Sequence, residues 1–121
     1  GFEYIKKKLP HENITFYLTG GDELHGVEDG TVDFVFSLDT LVRVPKTFTK
    51  RYFGEIYRVL KPGGKMLLHL PCTQKLVSRA KGFTRLSLEQ IEQYCKEYNF
   101  KDIVIDKEII IHGIILEAHK P

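Results

Sequence analysis

Four short stretches carry side chains able to do chemistry. Gly21-Asp22-Glu23 sets two carboxylates behind a glycine pair, and Ser37-Leu38-Asp39 sets a hydroxyl and a carboxylate at the end of an apolar run. Arg43 follows four residues later, and His69 and Cys72 close a second apolar run. An acidic residue after a glycine hinge can accept from a ligand's amino group, or can close an Asx-type turn. Ser37 and Asp39 can meet a ligand or cap a helix. Arg43 can clamp a carboxylate or phosphate, but its guanidinium stays protonated and cannot act as a base; a solvated arginine is the plainer reading. His69 and Cys72 have the spacing of half a metal site, and no second pair accompanies them, so no metal is expected. His11, His25, His112 and His119 are scattered and expected at the surface. No Ser-His-Asp order, paired-carboxylate site or G-x-G occurs.

The elements that must position these residues follow from periodicity. Phe2, Ile5 and Leu9 lie at helical spacing before Pro10. Ile14–Leu18 is β-branched and aromatic and reads as a strand ended by Gly20-Gly21. Val32–Phe36 and Met66–Leu70 are near-continuous apolar runs, as strands covered on both faces require. Between them Phe48, Tyr52, Phe53, Ile56, Tyr57 and Leu60 recur every three or four residues, a helix opened by Pro45 and stopped by Pro62-Gly63-Gly64. Lys61, Gly63 and Gly64 are therefore assigned to structure. A short helix is expected around residues 75–79, inside a loop. Ser87-Leu88-Glu89-Gln90 has capping-box spacing ahead of a stripe of Leu88, Ile91, Tyr94, Cys95 and Tyr98, with Asn99 as its stop. Asp102–Ile111 and Gly113–Ala118 read as antiparallel strands joined near His112. Strands alternating with helices, then a terminal pair, predict a single α/β domain over residues 1–121 with a mostly parallel sheet.

Composition bounds the function. The 121 residues are 42% hydrophobic and 28% charged with a net charge of +2, which argues for a globular protein and against a nucleic-acid partner. No apolar run approaches the roughly 20 residues that cross a bilayer. Two cysteines make no disulfide framework, and reduced thiols predict a cytoplasmic protein.

Val32-Asp33-Phe34-Val35-Phe36-Ser37-Leu38-Asp39-Thr40-Leu41 followed by Glu55-Ile56-Tyr57-Arg58-Val59-Leu60-Lys61-Pro62-Gly63-Gly64 resembles the class I, Rossmann-like S-adenosylmethionine-dependent methyltransferases. The resemblance equates Ile14–Leu18, Val32–Phe36 and Met66–Leu70 with that family's third, fourth and fifth strands, and the terminal pair with its sixth and seventh. It implies S-adenosylmethionine as cofactor. Asp22 would accept from the adenine amino group and the Glu23 N–H would reach the ring, while Ser37, Leu38 and Asp39 would lie where cofactor and acceptor meet. Many relatives carry histidine near the acceptor where this chain has Arg43, so an anionic, small-molecule acceptor bound by Arg43 is implied. No catalytic side chain is assigned, because proximity and alignment carry most of such a reaction.

The family's first strand, glycine-rich turn, first helix and second strand have no counterpart here, so the domain reads as N-terminally incomplete. In the family the first strand lies beside the fourth, so Val32–Phe36 is expected to present an apolar edge. Three things could cover it: Ile14–Leu18 sliding across, a second copy in a homodimer, or a missing N-terminal segment. The expected function is methyl transfer that needs such a segment or partner for cofactor binding. The alternative is a non-catalytic Rossmann-like interaction or dimerisation module that has lost cofactor binding.

Overall fold

The computed structural model describes residues 2–8, 13–19, 21–75 and 82–121. The elements in order are α1 (Phe2–Lys8), β1 (Val32–Ser37), α2 (Lys46–Val59), β2 (Leu60–Leu70), α3 (Leu88–Glu97), β3 (Lys101–Asp106) and β4 (Ile114–His119). They form a four-stranded sheet in the order β1-β2-β4-β3. β1 and β2 are parallel, and the terminal strands are antiparallel, β4 pairing with both β2 and β3. This is the α/β architecture expected, with the final antiparallel pair in place. The helix expected near residues 75–79 falls largely outside the described residues.

Side-chain alternation gives the sheet two unlike faces. Met66, Leu68 and Leu70 of β2 and Ile114, Leu116 and Ala118 of β4 are buried in one core with Phe53 and Ile56 of α2 and Ile91, Tyr94 and Cys95 of α3. Edge-on ring contacts join α2 to α3, Phe53 lying 5.5 Å from Tyr94, and α2 to the turn before β3, Tyr57 lying 5.3 Å from Phe100. The capping box of α3 is formed in both directions, between Ser87 and Gln90. On the other face Phe34, Phe36 and Val104 are exposed, and a cavity of about 180 Å³ is lined by Leu67, Val104, Ile109 and Ile115 among others.

Three expectations are corrected. Ile14–Leu18 is not a strand and does not slide beside β1, and Leu18 is exposed. Pairing partners, not local propensity, decide a strand, and β1 has only β2 as a neighbour among the described residues. Next, β3 ends at Asp106 rather than Ile111. The Asp106 carboxylate accepts from the N–H groups of Glu108 and Ile109 at 2.9 and 3.0 Å, turning the chain away from the ladder. Last, α2 ends before its expected stop. Leu60 is already extended (φ −68°, ψ 139°) and pairs with Val32, so Lys61–Gly64 belong to β2 as a bulge against β1.

Lys120 resolves why that bulge is stable. Its ammonium donates to the carbonyls of Tyr57 and Leu60 at 2.8 and 2.9 Å, satisfying the end of α2, and lies over the Tyr57 ring. Its backbone exchanges hydrogen bonds with Gly63 and Gly64. Gly64 leaves no room for a side chain: a Cβ there would stand 2.9 Å from the Lys61 carbonyl oxygen and 3.2 Å from that of Asp33. Gly64→Ala should therefore lower stability by about 1–3 kcal/mol through overpacking. Urea unfolding measures this, and an unchanged midpoint would refute the close-approach role.

Candidate functional site

The parallel strands β1 and β2 both point their C-terminal ends at one corner, where open α/β sheets bind ligands. β1 delivers Ser37 and the turn Leu38-Asp39-Thr40, while β2 delivers His69. Ser37 is half-buried and lines a cavity of about 210 Å³ with Leu24, Val35, Leu41, Tyr52 and Ile56. Leu38 is exposed, and Asp39 adopts a left-handed backbone with φ 56°. Neither Ser37 nor Asp39 caps α2, whose N-cap is Pro45 without a side-chain hydrogen bond.

What holds Asp39 in that strained region is His69, only 1% exposed. The Asp39 N–H donates to Nδ1 of His69 at 2.9 Å. A backbone N–H can only donate, so Nδ1 carries no proton and Nε2 does. That Nε2–H faces the His112 carbonyl at 3.3 Å. His112 returns to the same corner, its Nε2 lying 3.3 Å from Asp39 Oδ1 and its ring edge-on to His69 at 4.8 Å. Phe83 lies 6.0 Å from His112, and the exposed Arg43 guanidinium stacks on Phe83 at 4.6 Å. The surface expectation for the scattered histidines thus fails for His112 and His119, both half-buried. His25 is exposed, and His11 lies outside the described residues.

Asp22 and Glu23 stand elsewhere. They line a cleft of about 440 Å³ with Arg51, Gly54, Glu55 and Tyr98, and the Asp22 carboxylate is ion-paired with Arg51. Gly21 provides the expected hinge at φ 100°. The two groups of candidate residues therefore line different cavities. The segment after Asp22 is tied to α2 by Arg58, a residue to which sequence reasoning gave no role. Its guanidinium donates to Glu55, to Asp29 and to the carbonyls of Leu24 and Val27, with distances from 2.7 to 3.1 Å. Glu55 also accepts from the Leu24 N–H at 3.0 Å, and the hydrogen bond from Arg58 holds its carboxyl below the usual range. The i,i+3 spacing of Glu55 and Arg58 was the available signal.

Asp39, His69 and His112 are the one group among the described residues whose possible metal-ligand atoms converge, within 4.8 Å of one another. Both His69 nitrogens are already committed, which leaves two ligands where a tetrahedral ion needs four. For S-adenosylmethionine the fit is partial. Ser37, Leu38 and Asp39 lie at the C-terminal end of β1 and Asp22 and Glu23 offer acidic groups, but the sequence contains no G-x-G turn. Of the two cysteines, both are buried and free, and burial pushes the Cys95 thiol up to about 12.

Residues 2–68 match the family described as "Methyltransferase domain". Among curated proteins, "Phosphoethanolamine N-methyltransferase 2" of Caenorhabditis elegans is 46% identical over 41 residues, which is 34% of this chain and 9% of that protein. "Sterol 24-C-methyltransferase erg6" of Schizosaccharomyces pombe is 36% identical over 61 residues, 50% of this chain and 15% of that one. The chain thus spans a small part of these relatives. Among solved structures, the complex between the Haloferax volcanii Trm112 methyltransferase activator and the putative methyltransferase aligns with TM-score 0.75, at 15% identity, over 99% of this chain and 67% of that one. A Haemonchus contortus phosphoethanolamine N-methyltransferase 2 with phosphomonomethylethanolamine and S-adenosylhomocysteine aligns with TM-score 0.57, at 22% identity, over 78% of this chain and 35% of that one. The fold is that of the Rossmann-like methyltransferases. With more than half its length matched, this chain belongs to the methyltransferase domain family.

Burial holds the His69 imidazolium below its ordinary value of 6.5. The folded chain then binds that proton less readily than the unfolded chain. The resulting stability is complete above pH 6.5 and is lost as pH falls from there toward the lowered value. Urea midpoints should accordingly drop between pH 7.5 and the acid side of that window, and the drop should shrink in His69→Asn. Equal pH dependence in the two proteins would refute the contribution of His69.

Proposed function

We propose that this chain supplies the acceptor side of an S-adenosylmethionine-dependent methyl-transfer site. The observation that carries the reading is the convergence of Ser37, Leu38, Asp39, His69 and His112 at the C-terminal ends of β1 and β2, in a chain of this family. Cofactor binding would place Asp22 and Glu23 on adenine, with Ser37, Leu38 and Asp39 around the methyl group. Bound there, S-adenosylmethionine supplies an electrophilic methyl carbon. The residues of this chain hold the acceptor in line and keep water from it. Arg43, exposed and lying over the Phe83 ring, suits the anionic group of a small acceptor, and the Haemonchus relative was solved in complex with the phosphate-bearing phosphomonomethylethanolamine.

The cradle is completed, in this reading, by a segment or partner chain covering the free edge of β1. The exposed Phe34 and Phe36, 45% and 67% accessible, support that reading, and the Haloferax volcanii protein of similar fold was solved in complex with the methyltransferase activator Trm112. The same surface favours a second reading, a non-catalytic pairing module. No helix among the described residues is long and apolar enough to cross a membrane.

Calorimetric titration with S-adenosylhomocysteine separates the two. Binding that Asp22→Ala weakens about tenfold or more, roughly 1.4 kcal/mol, is expected for methyl transfer once the edge of β1 is covered, and no binding in either state is expected of a pairing module. Absence of heat at millimolar ligand would leave family membership and withdraw cofactor binding from this chain by itself.

A further inference from the structure

Apolar side chains make most of the wall of the cavity beside Ser37. Val35, Leu41, Tyr52 and Ile56 line it with Phe36, and Ser37 and Thr40 bring aliphatic hydroxyls. The Thr40 hydroxyl already donates to the Leu38 carbonyl at 3.1 Å. That of Ser37 has no hydrogen-bond partner among the described residues. A space so poor in polar partners suits an apolar guest better than water, and a cavity of about 150 Å³ with similar walls takes up benzene. This one measures about 210 Å³. Leu41 and Ile56 belong to the core, so those walls are fixed. Phe36 lines the cavity yet is 67% exposed, which leaves a way in from solvent.

Leu24 supplies the remaining wall, and it lies in no helix or strand. Its backbone is instead held on both sides by α2. The Leu24 N–H donates to Glu55 at 3.0 Å, and the Leu24 carbonyl accepts from Arg58 at 3.1 Å. Glu55 and Arg58 are both half-buried and are joined by two hydrogen bonds of 2.8 and 3.1 Å. The same guanidinium also holds the Val27 carbonyl and Asp29. Charge-assisted bonds of this kind are the strong ones, so the pair fixes where one leucine side chain meets the cavity.

We propose that the cavity beside Ser37 binds an apolar group the size of a single six-membered ring, and that Leu24, clamped by Glu55 and Arg58, sets that size limit. The Ser37 hydroxyl meets a polar substituent on the ring. A fused pair of rings would have to displace Leu24 or a core wall, and overpacking of that kind costs affinity. Truncating Leu24 removes the obstacle, and loosening its clamp lets the side chain give way. Occupancy of this cavity needs no cofactor, so it stands apart from the methyl-transfer reading.

Methyl carbon–proton spectra of the 121-residue chain, titrated with phenol and with 2-naphthol, test this. Phenol should shift the methyls of Leu24, Val35, Leu41 and Ile56 saturably at about millimolar concentration. In the same protein 2-naphthol should bind about tenfold more weakly or worse. Leu24→Ala should strengthen 2-naphthol binding about tenfold or more. The milder Leu24→Val should move the ratio in the same direction, and it decides the matter where Leu24→Ala does not fold. Glu55→Gln keeps the wall residue but weakens its clamp, and should narrow the preference for phenol about threefold or more. No saturable shift of these methyls with phenol overturns the site, as do shifts that spread to the exposed Val104 without saturating. A ratio unchanged in the Leu24 variants overturns the size limit, and one unchanged in Glu55→Gln overturns the clamp. These readouts succeed or fail independently of the S-adenosylhomocysteine titration.

Discussion

The imidazole of His69 is bound on both sides by backbone, accepting from Asp39 and facing the carbonyl of His112. Much of the corner depends on that arrangement. A side chain only 1% exposed cannot leave either nitrogen unpaired without a desolvation cost of roughly 1–3 kcal/mol. So the end of β2 dictates where the turn after β1 and the turn before β4 must come. The left-handed backbone of Asp39 and the bare backbone of Gly113 follow from the same constraint. One buried ring thus ties together three chain segments.

The motif shared with relatives divides into parts with different work. Glu55 and Arg58 fasten the segment of Leu24 to Asp29 onto α2 by charge-assisted hydrogen bonds, the strong kind. Leu60 switches directly from helix to strand, and Gly64 lets that strand approach β1 closely. Lys120, near the other end of the chain, satisfies the carbonyls left over at the switch. None of these residues faces the corner of Asp39 and His112. Their effect on chemistry is to set the register of β1 on β2, which decides how far Ser37 projects beyond Leu68, its partner in the ladder.

The helices were legible because their signals are local: the stripe from Phe48 to Ile56 and the box of Ser87 and Gln90 each lie within a few turns. Val32–Ser37 and the strand through Met66–Leu70 were legible as apolar runs, but the expected cover on both faces fails for β1, which leaves Phe34 and Phe36 exposed and has no fully buried residue, whereas Met66, Leu68 and Leu70 of β2 are buried. Ile14–Leu18 has the same kind of composition and fails, since a strand exists only with a neighbour. Asp106 ended β3 through a side-chain turn that apolar Ile109 to Ile111 concealed. For the site, the turn at Ser37–Asp39 was readable as the end of a strand. The part played by His112 was not, because no spacing rule connects residues 73 apart whose contact exists only after β4 has paired with β2.

β1 carries two demands at once. Its last residue and following turn form the candidate site, and its outer edge has no partner among the described residues. Edge strands in stable proteins are shortened, charged or covered, whereas β1 offers Phe34 and Phe36 side by side, their rings 5.9 Å apart on the open face. Asp33, ion-paired with Lys61, is its one charge. Two neighbouring exposed phenylalanines are costly to leave in water and cheap to bury, each worth about 1.5–3 kcal/mol when fully covered. Anything that binds along that edge necessarily runs past Ser37. Of the two exposed rings, Phe36 also lines the cavity beside Ser37, so one strand carries both the uncovered apolar surface and part of the cavity wall.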